Sequence, residues 1–274
     1  MTDNVLKMRP SRVLAKMRAG EVATCAKLNL ADPRVAEIAS HCGFDCIWTD
    51  MEHVPNTLHD VENIVRAAKM LDVDTLVRVP RGSYSDLIYP LEMDAAGIMV
   101  PHVMNAEDAK KIAWYTRFHP VGRRPMDGGN SDGAYCMIPV DEYIKQANQQ
   151  RFVIVQIEDP EPLDELEEIA QVDGIDMLFF GPGDFSQGIG TPGQFDNPRI
   201  AETRKRVAEV ARKHGKFAGT VGSVGNFDEL ADMGYQFINV GADVVGLWQY
   251  FQGITSTLGK TKIATSESIY KGKK

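Results

Sequence analysis

Two periods of apolar and polar residues alternate along this chain. Eight short runs, most of them apolar on both faces, stand out: VATCAKL (22–28), CIWTD (46–50), TLVRVP (75–80), GIMVPHV (97–103), FVIVQIE (152–158), MLFFGP (177–182), KFAGTV (216–221) and QFINVG (236–241). Strands covered on both faces read as continuous apolar runs rather than as alternation. Between them the period lengthens to that of a helix. In TLHDVENIVRAAKML (57–71), Leu58, Val61, Ile64, Val65, Ala68 and Leu71 form one stripe, with Asn56 or Thr57 placed to cap its start. NAEDAKKIAWYTRF (105–118) and NPRIAETRKRVAEVARKHG (197–215) repeat the pattern, and Gly215 supplies a stop. Repeated strand–helix units imply a parallel sheet. Eight of them in a chain of 274 residues predict a closed (β/α)8 TIM barrel, with an open doubly wound sheet as the alternative if one strand is miscounted. One domain is expected over residues 1–274, with its core at about 15–258 and a polar tail at 259–274. A Gly-rich connection at 118–140 precedes a helix at about 140–150, and a loop of that length is expected to be functional or mobile.

Composition narrows the function classes. The net charge of −8 argues against a nucleic-acid binder, whose affinity comes mostly from a basic surface. It leaves an anionic small substrate open, because that feels local charge. Cys25, Cys42, Cys46 and Cys136 fit no zinc spacing and are expected to be free thiols. No apolar run is long enough to span a membrane, and MTDNVLKMRPSR lacks the apolar core of a signal peptide, so a cytoplasmic protein is expected.

In a barrel of this kind the chemistry sits at the C-terminal ends of the strands. The second run ends in Asp50, Met51, Glu52 and His53, an expensive cluster to bury unless it is paired. The third carries Arg78, the fifth places Gln156 and Glu158 on one face, and the sixth leads into Asp184 in a turn loosened by Gly181 and Gly183. Each has a structural alternative: Asp184 as the cap of a short turn, Glu158 paired with Arg78, His53 as a hydrogen-bonded loop residue. Their convergence on one rim favours chemistry. Glu158 and Asp184 suit a hard cation such as Mg²⁺ or Mn²⁺. Arg78 can hold a carboxylate or a developing oxyanion. His53 is the candidate base, oriented by Asp50 or Glu52. A cation beside an arginine stabilises an enolate formed next to a carbonyl, so the residues predict metal-assisted enolate chemistry on an α-keto acid.

The motifs DMEHVPN, LVRVP, IMVPHVMNAEDA, VQIED and GPGDFS, in this order, resemble the HpcH/HpaI family of class II pyruvate aldolases over about residues 15–255. The resemblance implies a metal-dependent barrel that cleaves and forms 4-hydroxy-2-oxo acids through a pyruvate enolate. It implies a divalent metal (Mg²⁺, Mn²⁺ or Co²⁺) on Glu158 and Asp184, and a base built from His53 with Asp50 behind it, acting through water. Arg78 would sit on the pyruvate carbonyl or enolate oxygen, with Gln156 and the amides around Gly183 holding the keto acid. The segment GTVGSVG (219–225), with Thr220 and Val221, would line the aldehyde side. The family's assembly implies a homo-hexamer, a trimer of dimers that exchange the last helix, here about 243–258, and no nucleic-acid or membrane partner.

Three positions depart from the family pattern. Glu92 stands where an aspartate reaching a neighbouring subunit's site is common. Arg81 replaces an apolar or aromatic residue. The loop 122–135 is long and polar, and its Arg123 and Arg124 would meet an anionic aldehyde, be solvated, or hold the loop by ion pairs. Related CoA-thioester lyases and phosphoenolpyruvate mutase-like enzymes would need a CoA or phosphate surface, which the sequence does not clearly supply. A non-catalytic barrel is the remaining alternative.

Overall fold

Strands that are apolar on both faces need cover on both, and this chain provides it by closing them on themselves. The computed structural model describes residues 6–260. Its strands are β1 (Ala23–Leu28), β2 (Cys46–Asp50), β3 (Asp74–Arg78), β4 (Gly97–Val100), β5 (Phe152–Ile157), β6 (Met177–Phe180), β7 (Phe217–Val221) and β8 (Phe237–Ala242). All neighbours pair in parallel, and β8 closes onto β1. The helices are α1 (Arg12–Arg18), α2 (Pro33–His41), α3 (Leu58–Met70), α4 (Tyr84–Glu92), α5 (Ala106–Thr116), α6 (Val140–Gln150), α7 (Leu166–Ala170), α8 (Pro182–Gly188), α9 (Pro198–Lys213), α10 (Phe227–Met233) and α11 (Asp243–Thr257). The tail expected at 259–274 lies almost wholly outside the described residues. Among the described residues no helix is long and apolar enough to cross a membrane.

The expected strands are all present, but three end two or three residues earlier than the apolar pattern suggests. β3, β4 and β6 stop before Pro80, Pro101 and Pro182, which have no N–H to give to a ladder. Pro182 instead opens α8, so Asp184 lies in the first turn of a short helix rather than in a simple turn. Thr57 caps α3 with a reciprocal Asp60 bond, while Asn56 donates to the Asp50 carbonyl and ties down the loop after β2. Gly215 adopts φ +68 just past α9, the conformation its helix stop requires. The long connection is irregular apart from a short 3₁₀ turn at Ser131–Gly133.

The barrel interior is packed rather than open. Trp48 meets Phe179 edge-on at 5.7 Å between ring centres, and Phe179 meets Phe237 at 6.3 Å. Cys25 and Cys46, paired in register, are buried in the same cluster, whereas Cys42 and Cys136 are exposed; all four thiols are free. α1 precedes the barrel and packs Val13, Leu14 and Met17 into this interior cluster.

Aspartates at the strand starts anchor that end of the barrel. Asp45 accepts the Thr24 amide (2.9 Å) and pairs with Lys16; Asp176 accepts the Val153 amide (2.7 Å) and pairs with Arg117. Asp94 joins Lys69 to Arg151. Asp74, fully buried, takes the Ser11 hydroxyl at 2.6 Å, the Val13 amide at 2.9 Å and the Arg9 guanidinium, and so ties α1 to the barrel. Removing one partner of a buried charged network leaves the others uncompensated. Asp74→Ala is therefore expected to lower unfolding free energy by about 3–5 kcal/mol in urea denaturation; a loss below about 1 kcal/mol would show that α1 is held mainly by its apolar face.

Candidate active site

The site begins with a buried carboxylate at the end of β2. Asp50 has no exposed side-chain surface and faces Arg78 in register across β2 and β3. Arg78 donates to it through two nitrogens, Nε at 2.9 Å and one terminal nitrogen, in the bidentate arrangement that guanidinium and carboxylate favour. Lys27 Nζ, on β1, lies 2.8 Å from the same carboxylate. Both cations sit over the Trp48 ring, at 5.1 Å for Lys27 and 5.0 Å for Arg78. Burial would raise the Asp50 carboxyl, but the Arg78 hydrogen bonds and the two positive charges hold it well below the usual carboxylate range. Asp50 also accepts the Glu52 amide at 3.0 Å, which turns the chain out of β2.

Glu52 links this cationic corner to a carboxylate cluster. Its Oε2 lies 3.0 Å from an Arg78 terminal nitrogen, close enough for an ion pair but without a well-directed hydrogen bond. Its Oε1 lies 3.5 Å from His102 Nε2. The His102 amide donates to Glu158 Oε1 at 2.9 Å, and its Nδ1 sits 2.8 Å from Asp159 Oδ2. Glu52, His102 and Glu158 thus offer ligand atoms all within 4.8 Å of one another. Gln156, inward on β5, donates its amide nitrogen to Glu158 and leaves its buried Oε1 without a partner.

This cluster is short of positive charge. Burial pushes the Glu158 carboxyl up to about 7, and the negative charges of Asp184 and Glu52 push the same way, against the His102 hydrogen bond and charge. Burial opposes a charged His102, but the Asp159 bond and the neighbouring carboxylates outweigh it and raise the imidazole above its ordinary value. Crowded carboxylates, a nearby imidazole and a buried Gln156 Oε1 without a hydrogen bond are the donor set of a divalent-cation site. Space for the cluster depends on Gly181, where an added Cβ would lie 2.8 Å from Glu158 Oε2 and 2.9 Å from Gln156 Nε2.

The structure brings together Asp50, Glu52, Arg78, Gln156 and Glu158, and sets Asp184 close enough for its charge to act on Glu158. Gly183 is exposed in the first turn of α8. Other expectations change. The expected pairing of His53 with Asp50 is corrected: the His53 ring is 55% exposed, with Nε2 3.7 Å from Glu52 Oε2, because Asp50 is saturated by Arg78, Lys27 and the Glu52 amide. Thr220 turns away from the barrel interior, its hydroxyl bonded to the Phe180 carbonyl at 3.0 Å, while its neighbour Val221 packs inward. Arg124 is buried on Asp132 (2.8 Å), over the Phe118 ring, and so holds the 118–140 loop instead of facing substrate. Glu92 ends α4 beside that loop, its carboxyl raised by burial and by the charges of Asp132 and Asp127 against that of Arg124. Arg81 pairs with Asp108 at 3.0 Å and donates to the His102 carbonyl, tying down the chain after β4.

Two residues of the site escaped the sequence reading. Lys27 is on the inward register of β1 with Ala23 and Cys25, so strand alternation could have found it. His102 lies beyond β4 in a left-handed conformation, where alternation says nothing.

A closed parallel barrel with an arginine, an imidazole and converging carboxylates at its strand ends defines a (β/α)8 protein of the metal-competent class. Comparison with known proteins gives the family. The HpcH/HpaI aldolase/citrate lyase family matches residues 27–248, and the chain belongs to that family. It is 30% identical over 231 residues to the 2-keto-3-deoxy-L-rhamnonate aldolase of Shigella sonnei (strain Ss046), covering 84% of this chain and 86% of that protein. Among solved structures it resembles the HpcH/HpaI aldolase from Desulfitobacterium hafniense DCB-2, with TM-score 0.86 and 26% identity over 90% of this chain and 96% of the other. It also resembles the citrate synthase SbnG, with TM-score 0.82 and 27% identity over 90% and 96% of the two chains.

Gly181→Ala tests the packing of the carboxylate cluster. A methyl group there must displace Glu158 or Gln156, so divalent-metal affinity measured by calorimetry is expected to fall at least about tenfold, in the range seen when a metal's supporting shell is disturbed. Unchanged affinity would mean that the two side chains can move aside at no cost to the cation seat.

Proposed function

We propose that the protein is a metal-dependent carbon–carbon lyase, an aldolase that cleaves or forms 4-hydroxy-2-oxo acids through a pyruvate enolate and releases pyruvate and an aldehyde. The observation that carries this reading is the bridge made by Glu52, which sets the Arg78 guanidinium beside the Glu158 cluster. Enolate chemistry needs those two elements together: a fixed cationic fork for the oxygen that becomes negative, and a cation seat next to it. The matched relatives named as aldolases support it.

Glu158 and Asp184 are the residues assigned to hold a divalent cation (Mg²⁺, Mn²⁺ or Co²⁺), with waters and the keto acid completing its shell. When bound, that cation polarises the keto-acid carbonyl as a Lewis acid. Arg78 binds the carbonyl or enolate oxygen, its orientation fixed by Asp50. Gln156 and the amides around Gly183 orient the keto acid. His53, at the exposed edge beside Glu52, moves the methyl proton through a water. The side of the barrel near Val221 and the 219–225 segment takes the aldehyde.

The same reading assigns a homo-hexamer, a trimer of dimers that exchange α11. Leu247, Trp248, Tyr250, Phe251 and Ile254 are all exposed on this helix, an apolar face too large to leave in water. Trp248→Asp is expected to shift the species seen in analytical ultracentrifugation to smaller mass; an unchanged hexamer would place the interface elsewhere, and a monomeric wild type would overturn the assembly.

Proton–deuterium exchange into the methyl group of pyruvate tests the chemistry without the aldehyde being known. Exchange is expected with Mn²⁺ and not after EDTA. Arg78→Lys, which keeps the charge but loses the fork, is expected to slow exchange by about 10²-fold or more. Absence of exchange with every metal would remove the pyruvate enolate and turn attention to thioester or phosphorylated substrates.

A further inference from the structure

We propose that His102 is a ligand of the divalent cation, oriented by Asp159, so that the site is a mixed nitrogen–oxygen centre rather than an all-oxygen one. The inference rests on the metal-dependent reading above and concerns which atoms of this chain define the cation seat.

The backbone places His102 at a cost. It follows Pro101 directly after β4 and adopts φ +49, a left-handed conformation uncommon for a bulky residue. A conformation of this kind persists where surrounding contacts over-determine it. Here they do: the Arg81 guanidinium donates to the His102 carbonyl, and the His102 amide donates to Glu158 Oε1 at 2.9 Å. The residue is held from both sides of its backbone, with its ring beside the carboxylate cluster.

The ring's contacts then distinguish its two nitrogens. Nδ1 faces Asp159 Oδ2 at 2.8 Å, and an ionised carboxylate only accepts, so Nδ1 carries the proton. Nε2 lies 3.5 Å from Glu52 Oε1, and the ring is grouped with Glu52 and Glu158, with Nδ1 3.8 Å from Glu158 Oε1. A cation bound among these oxygens would take the place of any proton on Nε2, because only a neutral imidazole nitrogen ligates a metal. A carboxylate on one imidazole nitrogen, with the other nitrogen aimed at a group of oxygen donors, is the arrangement of a metal-bound histidine with its outer-shell partner.

An imidazole changes which cation the seat prefers. Mg²⁺ favours oxygen and keeps its waters, whereas imidazole favours later divalent transition metals. Co²⁺ should therefore gain more from His102 than Mg²⁺ does.

The test uses the full-length protein stripped with a chelator, titrated calorimetrically with Co²⁺ and with Mg²⁺, together with the visible absorption spectrum of the Co²⁺ form. His102→Asn is the main variant, because asparagine tolerates the left-handed conformation. It is expected to lose more than about 100-fold in Co²⁺ affinity but less than about tenfold for Mg²⁺, and to shift the Co²⁺ bands. Asp159→Asn, which leaves the His102 backbone alone, is expected to weaken Co²⁺ by about 10–100-fold, and it carries the test if His102→Asn does not fold. Wild-type Co²⁺ affinity and spectrum in folded His102→Asn, or in Asp159→Asn should only that variant fold, would overturn the proposal and leave the metal-dependent reading standing. A wild-type protein that binds neither cation would overturn both.

Discussion

The upper half of this barrel depends on one buried carboxylate. Asp50 is enclosed between the Arg78 fork and the Lys27 ammonium, and both cations rest over the Trp48 ring. A buried ion pair is weak evidence for stability, since desolvation offsets most of the attraction. It is strong evidence for orientation, because a bidentate pair permits one arrangement of the guanidinium. Lys27 makes that arrangement hard to exchange. With two cations on one carboxylate, any rotation of Arg78 away from Asp50 leaves charge poorly matched in a dry interior. The terminal nitrogens of Arg78 are thereby presented towards Glu52 and the cluster beyond it.

The two ends of the barrel use the same residue types to opposite effect. At the strand starts, Asp45, Asp74, Asp94 and Asp176 are each satisfied by bases and often by backbone amides as well. Those networks hold α1 and the connections in place. At the strand ends, acidic groups outnumber their partners: Glu52 Oε2 and Gln156 Oε1 lack hydrogen bonds, and Glu158 is pushed up to about 7 by burial and by like charges. Leaving polar groups unmatched destabilises a fold, and it is tolerated where a ligand completes the set. The saturated rim stabilises the scaffold, and the unsaturated rim is the place where chemistry can occur.

Most of the architecture was legible in the sequence because its signals are local. Apolar runs located all eight strands, and period-two alternation put Gln156 and Glu158 on one face, whereas the pairing of Arg78 with Asp50 rather than Glu158 appears only across the β2–β3 register. The errors have physical causes. Prolines cut three strands short, as Pro101 does before His102. The resemblance put Asp50 behind His53, where the residues alone left Asp50 or Glu52 open; Arg78 and Lys27, from other strands, take the Asp50 carboxylate, and His53 lies nearer Glu52. Arg124 lies only eight positions from Asp132, yet nothing local shows that the loop folds back to bury them both with Tyr143. His102 is a site residue through its left-handed backbone, a property no hydropathy pattern carries.

The outward helix is tied into this site by the chain itself. Asp243, the first residue of α11, accepts the amides of Asn29 and Leu30 at 2.9 Å each. Those amides lie just beyond β1, two and three positions from Lys27. The segment carrying the second cation of the Asp50 corner is therefore held at its exit by the start of a helix whose large apolar face remains exposed. An exposed helix of this kind gains little stability from its own chain and most of it from whatever surface buries it. Burying α11 against another copy would steady Asp243, the β1 exit and the placement of Lys27 through contiguous contacts. In this fold, the start of the exposed helix and the geometry of the cationic corner share one short stretch of backbone.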